Sequence, residues 1–145
     1  MEKFKIMWIA QDVMKDFLEK NEYPRHIPPS LLCYGCFEEK QNSQHSQQTE
    51  KELLGVVGLY KIAWHTTEIR NLCVKKERRN QGIGKIIVSQ ILERIFSPVA
   101  IAVVEVNNVP SLKIFQRLGF QKVDVFFNED TGNQLYFMLK VLKKK

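Results

Sequence analysis

The sequence predicts an α/β fold, a mixed sheet of seven strands with helices on its faces. Three observations point there. Runs of strand length are interleaved with amphipathic helical patterns. The passage from 67 to 106 reads strand, helix, strand, which requires a right-handed parallel crossover. Early and late pairs of runs are joined by polar turns, which implies antiparallel margins.

Residues 3–10 alternate Phe4, Ile6 and Trp8 with more polar neighbours and read as a first strand. Asp12 is placed to cap a helix whose apolar stripe is Val13, Phe17 and Leu18. Pro24, Pro28 and Pro29 end regular structure there. Residues 31–37 form a second strand and 53–63 a third, in which Gly55 and Gly58 mark bulges or close approach. Between them, the Gln- and Ser-rich residues 40–49 lack a core pattern and read as a mobile hairpin loop, with His45 solvated. A short turn at 64–66 leads into a fourth strand, 67–74.

Ile83, Ile87, Ile91 and Ile95 recur every fourth residue, with Val88, Leu92 and Phe96 beside them. That is an apolar helix packed on a sheet, ended by Pro98. The apolar run 99–106 suits a strand buried on both faces. Asn108 and Pro110 open a last helix with Leu112, Phe115 and Leu118 on its apolar face, and Gly119 stands where a left-handed residue ends it. Strands 121–127 and 134–142 complete the series around a turn with Asp130-Thr131-Gly132 at its tip.

At 145 residues the chain fits one domain, 1–145, able to bury a core without staples. No apolar stretch is long enough to cross a bilayer, and a charged start without a signal-type core suggests a cytoplasmic protein with no membrane partner. Cys33 and Cys36 form a C-x-x-C, but three places along a strand they face opposite ways, and Cys73 lies in another strand. A structural role and no metal follow. The net charge of +6 favours anionic partners, with clusters at 75–79 and 143–145; the latter reads as a frayed end.

The informative stretch is 79–84. An apolar strand runs into a basic turn, the turn holds Gly82 and Gly84, and a long helix starts at once. A helix start offers unpaired N–H groups and a positive dipole end, a ready phosphate site. The glycines remove side chains that would block approach, and Lys75, Lys76, Arg78 and Arg79 add attraction. The third glycine of a dinucleotide fingerprint is missing, and Gly84-Lys85-Ile86 fails as a Walker loop. Anion binding and a plain tight turn both fit this spacing.

With these motifs the chain resembles the GNAT superfamily of N-acetyltransferases over nearly its whole length. Arg79-Asn80-Gln81-Gly82-Ile83-Gly84 is similar to that family's pyrophosphate motif Q/R-x-x-G-x-G/A, and the stretch Asn71 to Val74 to its central strand. Asn108, Ser111, Ile114, Phe115, Arg117, Gly119 and Phe120 resemble its later N-x-x-A-x-x-L-Y-x-K-x-G-F signature. The resemblance implies that strands 67–74 and 99–106 run parallel but splay, with acetyl-CoA in the wedge. It implies backbone pairing of Leu72, Cys73 and Val74 with pantetheine, and pyrophosphate on the N–H groups of Arg79, Asn80, Gln81, Gly82, Ile83 and Gly84. Asn108, Ser111 and Phe115 then face the thiol end, and an amine, on a small molecule or a protein, enters from the opposite side near residues 8–29.

Acetyl transfer to an amine needs a proton acceptor and a donor to the developing oxyanion. By the resemblance, Glu68 is the candidate base, His65 the runner-up, and the N–H of Val74 or Cys73 the oxyanion donor. Phe115 departs from the tyrosine that many members carry as general acid. Water or Ser111 substitutes, or the thiolate leaves unassisted; Tyr136 is too distant in sequence to assign. A non-catalytic CoA-binding module and a nucleic-acid-associated relative are the competing readings, the second disfavoured because the basic cluster flanks the cofactor turn. Relatives are often dimers, so either a monomer or a homodimer is expected.

Overall fold

The computed structural model describes residues 3–41 and 49–142. Strands β1 (Phe4–Trp8), β2 (Leu32–Gln41), β3 (Thr49–Ala63), β4 (Thr66–Val74), β5 (Val99–Glu105), β6 (Gln121–Phe127) and β7 (Gln134–Val141) form one sheet in the order β1-β2-β3-β4-β5-β7-β6. Neighbours are antiparallel except β4 and β5, which run parallel through the crossover. The helices are α1 (Gln11–Lys20), α2 (Ile83–Leu92) and α3 (Val109–Arg117), with a 3-10 turn at Lys76–Arg78.

Alternation along the central strands divides the core in two. Val57, Leu54, Cys36 and Ile69 pack against α2 and α3 on one face. Val56, Cys33 and Cys73 pack against Met14, Phe17 and Leu18 of α1 on the other. Cys33 and Cys36 thus fall in different cores, and all three cysteines are free and buried. Ile83, Ile87, Ile91 and Ile95 are each buried to 2% exposure or less, as their four-residue period requires.

Several local expectations need correction. Asp12 does not cap α1. The cap position is Ala10, and the Asp12 carboxylate accepts only the N–H of Val13, at 2.9 Å. The stripe runs through Met14 instead of Val13, which is exposed, because Met14, Phe17 and Leu18 keep one helical phase. Trp8 lies outside the core, on an edge strand, with its ring 4.8 Å from that of Tyr34. Helix α2 ends at Leu92, short of Phe96. Its last carbonyls accept i−3 bonds from Glu93, Arg94 and Ile95, and the tightened turn rotates Phe96 outward, 84% exposed.

The expected loop 40–49 is shorter than composition suggests. Backbone pairing continues through Lys40↔Glu50 and Gln41↔Thr49. The rest of that loop, with His45, lies outside the described residues, as do the lysines 143–145. The α3 ends match expectation: the Asn108 side chain accepts the Ser111 N–H at 3.3 Å, and Gly119 has φ +94°. The register shift between Val56 and Gly58 marks the expected irregularity in β3.

One charge is buried in the sheet. Glu38 of β2 is 2% exposed and accepts from Arg78 Nη1 at 3.1 Å and Nη2 at 3.3 Å, with Lys3 Nζ at 3.2 Å. The Arg78 guanidinium, aided by Lys3, holds this carboxyl below the ordinary carboxylate range despite desolvation. Since the folded pKa lies below the unfolded one, the pairing stabilises above the ordinary range, and that contribution is lost as pH falls through the folded value.

Ile87→Ala removes a side chain with no exposed surface; urea unfolding should show a loss of about 2–5 kcal/mol. For Glu38→Gln, the urea midpoint should fall at neutral pH and vary less than wild type's between about pH 7 and about pH 3. Equal pH dependence would show that Glu38 does not carry that titration.

Candidate active site

The site is built on a failure of pairing. β4 and β5 pair at Thr66↔Val99, Thr67↔Ala100 and Glu68↔Ile101, and no further. The paired end is pinned: the Ser97 hydroxyl donates to the Val99 carbonyl at 2.9 Å, so the Thr67 hydroxyl donates to Ser97 at 2.9 Å. Beyond Glu68 the strands diverge. Asn71 adopts a left-handed φ of +57°, a conformation asparagine tolerates better than most residues. Residues 69–74 therefore have no strand on that side, and backbone groups there call for another partner.

The divergence opens onto a cleft of about 590 Å³. Leu72, Cys73 and Val74 line it at the β4 edge, Arg79, Asn80, Gly82, Ile83 and Gly84 at the turn, and Asn108 and Ser111 across it. Asn80 (φ +64°) and Gly82 (φ +80°) are both left-handed, a turn form that gathers successive N–H groups. Gly82 takes the cap position of α2 with no side-chain cap, and the first α-helical bond runs from Ile86 N–H to Gly82 O. The N–H groups of Ile83, Gly84 and Lys85 are thus helix-start donors.

The glycines differ in role. A Cβ at Gly82 would meet nothing within 4 Å, so that position is open toward the cleft. A Cβ at Gly84 would sit 2.7 Å from Ile114 Cδ1. Gly84 therefore lets α2 and α3 approach, in addition to lining the cleft. Gln81 and Phe115 do not line this cleft. The Gln81 side chain accepts from Arg78 Nε at 3.0 Å. Phe115 is 3% exposed, with its ring edge-to-face on Phe120 at 5.1 Å.

The basic cluster works differently from the expected field. Lys75 pairs with Glu52 at 3.1 Å and Lys76 with Glu22 at 2.8 Å. Arg78 pairs with Glu38, and Arg79 donates to the carbonyls of Val74 (3.1 Å) and Asn21 (3.0 Å). These cations anchor the turn. Of the described cations that line the cleft, Lys85, Lys113 and Arg117 make neither an ion pair nor a side-chain hydrogen bond within the protein. Sequence reading missed them; the available signal was the i, i+4 spacing of Lys113 and Arg117 opposite Leu112 and Phe115 on α3.

A second cleft of about 470 Å³ lies beyond the diverging strands. Glu68, Arg70, Arg25, His26, Glu105 and Phe115 line it, and it shares Tyr23, Leu72, Asn108 and Ser111 with the first. Burial pushes the Glu68 carboxyl up, and Arg70, 3.6 Å away, pulls it partly back. His65 lines neither cleft; its Nδ1 lies 2.6 Å from Thr66 Oγ1 and its ring is exposed. Tyr136 also lines neither, and Lys122 Nζ stands 4.2 Å from its ring centroid. Two clefts therefore meet at four shared residues, one rich in groups that bind anions and one holding a partly buried carboxylate.

The sequence matches the model of the acetyltransferase (GNAT) family over residues 9–120. No curated protein matches it. Among solved structures, a GNAT family acetyltransferase from Elizabethkingia anophelis with acetyl-CoA bound superposes with a TM-score of 0.69 at 16% identity, over 98% of this chain and 100% of that one. The ribosomal-protein-S18-alanine N-acetyltransferase of Escherichia coli gives 0.71 at 12% identity, over 98% and 96%. A chimeric spermidine N-acetyltransferase from Vibrio cholerae and hSSAT gives 0.73 at 12%, over 97% and 96%. The structural likeness supports the fold, and the family match carries the activity class. This chain belongs to the acetyltransferase (GNAT) family and is an N-acetyltransferase.

Proposed function

We propose that the protein transfers an acetyl group from acetyl-CoA directly to an amine of a small molecule or a protein. The observation that carries the reading is the cleft joining the unpaired edge of β4 to the uncapped start of α2. A long ligand with amide groups and a pyrophosphate fits such a surface. Its amides complete the ladder along Leu72, Cys73 and Val74, and its phosphates take the N–H groups of residues 79–84. The open position at Gly82 is the cradle that a side chain would fill. Lys85, Lys113 and Arg117 supply the charge that the paired cations no longer offer.

Acetyl-CoA supplies an activated acyl group as a thioester. The chain's residues orient it and manage protons. The N–H of Cys73 or Val74 faces the carbonyl oxygen as charge develops there. Asn108 and Ser111 flank the reacting end. Glu68, in the second cleft, takes a proton from the incoming ammonium directly or through water. Its raised pKa makes it a stronger base than an exposed glutamate. Phe115, buried against Phe120, has no proton to give and serves as wall. Three buried free thiols suit the reducing environment of a cytoplasm.

Calorimetric titration with acetyl-CoA and CoA tests the binding half, and CoA release with an amine panel tests the transfer. Gly82→Glu should weaken acetyl-CoA by about 100-fold or more, since a carboxylate enters the phosphate cradle; unchanged affinity in a folded variant rejects the turn as the phosphate site. Glu68→Gln should lower kcat by about 10²-fold with little change in acetyl-CoA affinity. Wild-type kcat/KM should fall as pH drops through a value above the ordinary carboxylate range, and that acid limb should vanish in the variant. A limb that persists assigns the base elsewhere.

A further inference from the structure

Protonation assists loss of the thiolate, and the helix position that the resemblance expects to supply the proton holds Phe115. A substitute must sit where the two clefts meet, because the acyl group changes hands there. Four residues line both: Tyr23, Leu72, Asn108 and Ser111. Leu72 has no proton to donate. Asn108 Oδ1 is engaged by the Ser111 N–H, and an amide is a negligible acid. Two hydroxyls remain. A phenol is far closer in acidity to a thiol than an aliphatic alcohol is.

Tyr23 is also held in place from several directions. Its N–H donates to the Leu18 carbonyl at 2.9 Å, ending α1. The two residues before it are tied to the phosphate turn. Lys76 N–H donates to Asn21 Oδ1 at 2.8 Å, Arg79 Nη2 to the Asn21 carbonyl at 3.0 Å, and Lys76 Nζ pairs with Glu22 at 2.8 Å. The element that would grip the phosphates thus also positions Tyr23. The Arg25 guanidinium packs 3.9 Å from the centroid of its ring and is itself held by Glu105 at 3.8 Å. The other charged groups around it are His26 on its own segment, Arg79 at the turn, and Glu68, Arg70 and Glu105 across the second cleft.

We propose that Tyr23 is the general acid of this acetyltransferase, replacing the tyrosine absent at Phe115; this rests on the acetyl-transfer reading above. As the amine nitrogen bonds to the acyl carbon, the carbon–sulfur bond breaks and its electron pair goes to sulfur. The Tyr23 hydroxyl gives its proton to that sulfur, Glu68 or its water takes the proton from nitrogen, and solvent reprotonates the phenolate.

The test uses the full chain with acetyl-CoA and hydroxylamine, a small amine that requires little acceptor recognition, and compares wild type, Tyr23→Phe and Ser111→Ala. Tyr23→Phe should lower kcat by about 10²-fold, leave KM for acetyl-CoA within about twofold, and abolish the alkaline limb of the pH–rate profile. Ser111→Ala should retain that limb. Full kcat or an intact alkaline limb in Tyr23→Phe overturns the proposal while leaving the transferase reading in place. Wild type that does not accelerate the reaction over background overturns both.

Discussion

Three residue pairs between β4 and β5 set the conditions for everything else in this molecule. A parallel pair that continued to the strand ends would close the sheet and leave no room for a ligand. A pair that never formed would break the sheet in two, leaving only the shared core under α2 and α3 to hold the halves together. Pairing over Thr66–Glu68 alone joins the halves, and divergence beyond it exposes an unfilled backbone edge inside the molecule. The crossover through α2 then delivers a helix start to the end of that edge, as the connection between parallel neighbours must pass over the sheet.

Charge is arranged around this opening in two tiers. Lys75, Lys76, Arg78 and Arg79 are engaged by Glu52, Glu22, Glu38 and backbone carbonyls. They fix a turn in which Asn80 and Gly82 are both left-handed, and so hold its N–H groups together. Glu38 matters most here, since it reaches the turn from β2 and is itself nearly inaccessible. Lys85, Lys113 and Arg117 form the outer tier and remain available to an anion.

The second cleft places a desolvated carboxylate, Glu68, on the strand that also forms the first. One β-strand thus carries both the unpaired edge of the first cleft and the carboxylate of the second. α3 packs Phe115 beside the junction, 3% exposed and edge-to-face on Phe120. The segment after α1 reaches the junction because Asn21 and Glu22 are fastened to the 3-10 turn, linking two regions more than fifty residues apart in sequence.

Much of this was legible in the chain itself. The isoleucine period fixed α2, the apolar run fixed β5, and Asn108, Pro110 and Gly119 fixed α3, because helix and strand periods and cap chemistry are local properties. The turn at 79–84 was legible for the same reason. Where local signals were ambiguous, the tertiary structure decided. Met14 displaced Val13 from the core, and the end of α2 turned Phe96 out, since helical phase and termination depend on what lies beneath them. Lys75, Lys76, Arg78 and Arg79 look alike to Lys85, Lys113 and Arg117 in a sequence. Only folding gave the first group partners from β2, β3 and the segment just after α1 and left the second group facing the cleft, because ion pairing across a fold is set by spatial proximity and carries no signature in residue spacing.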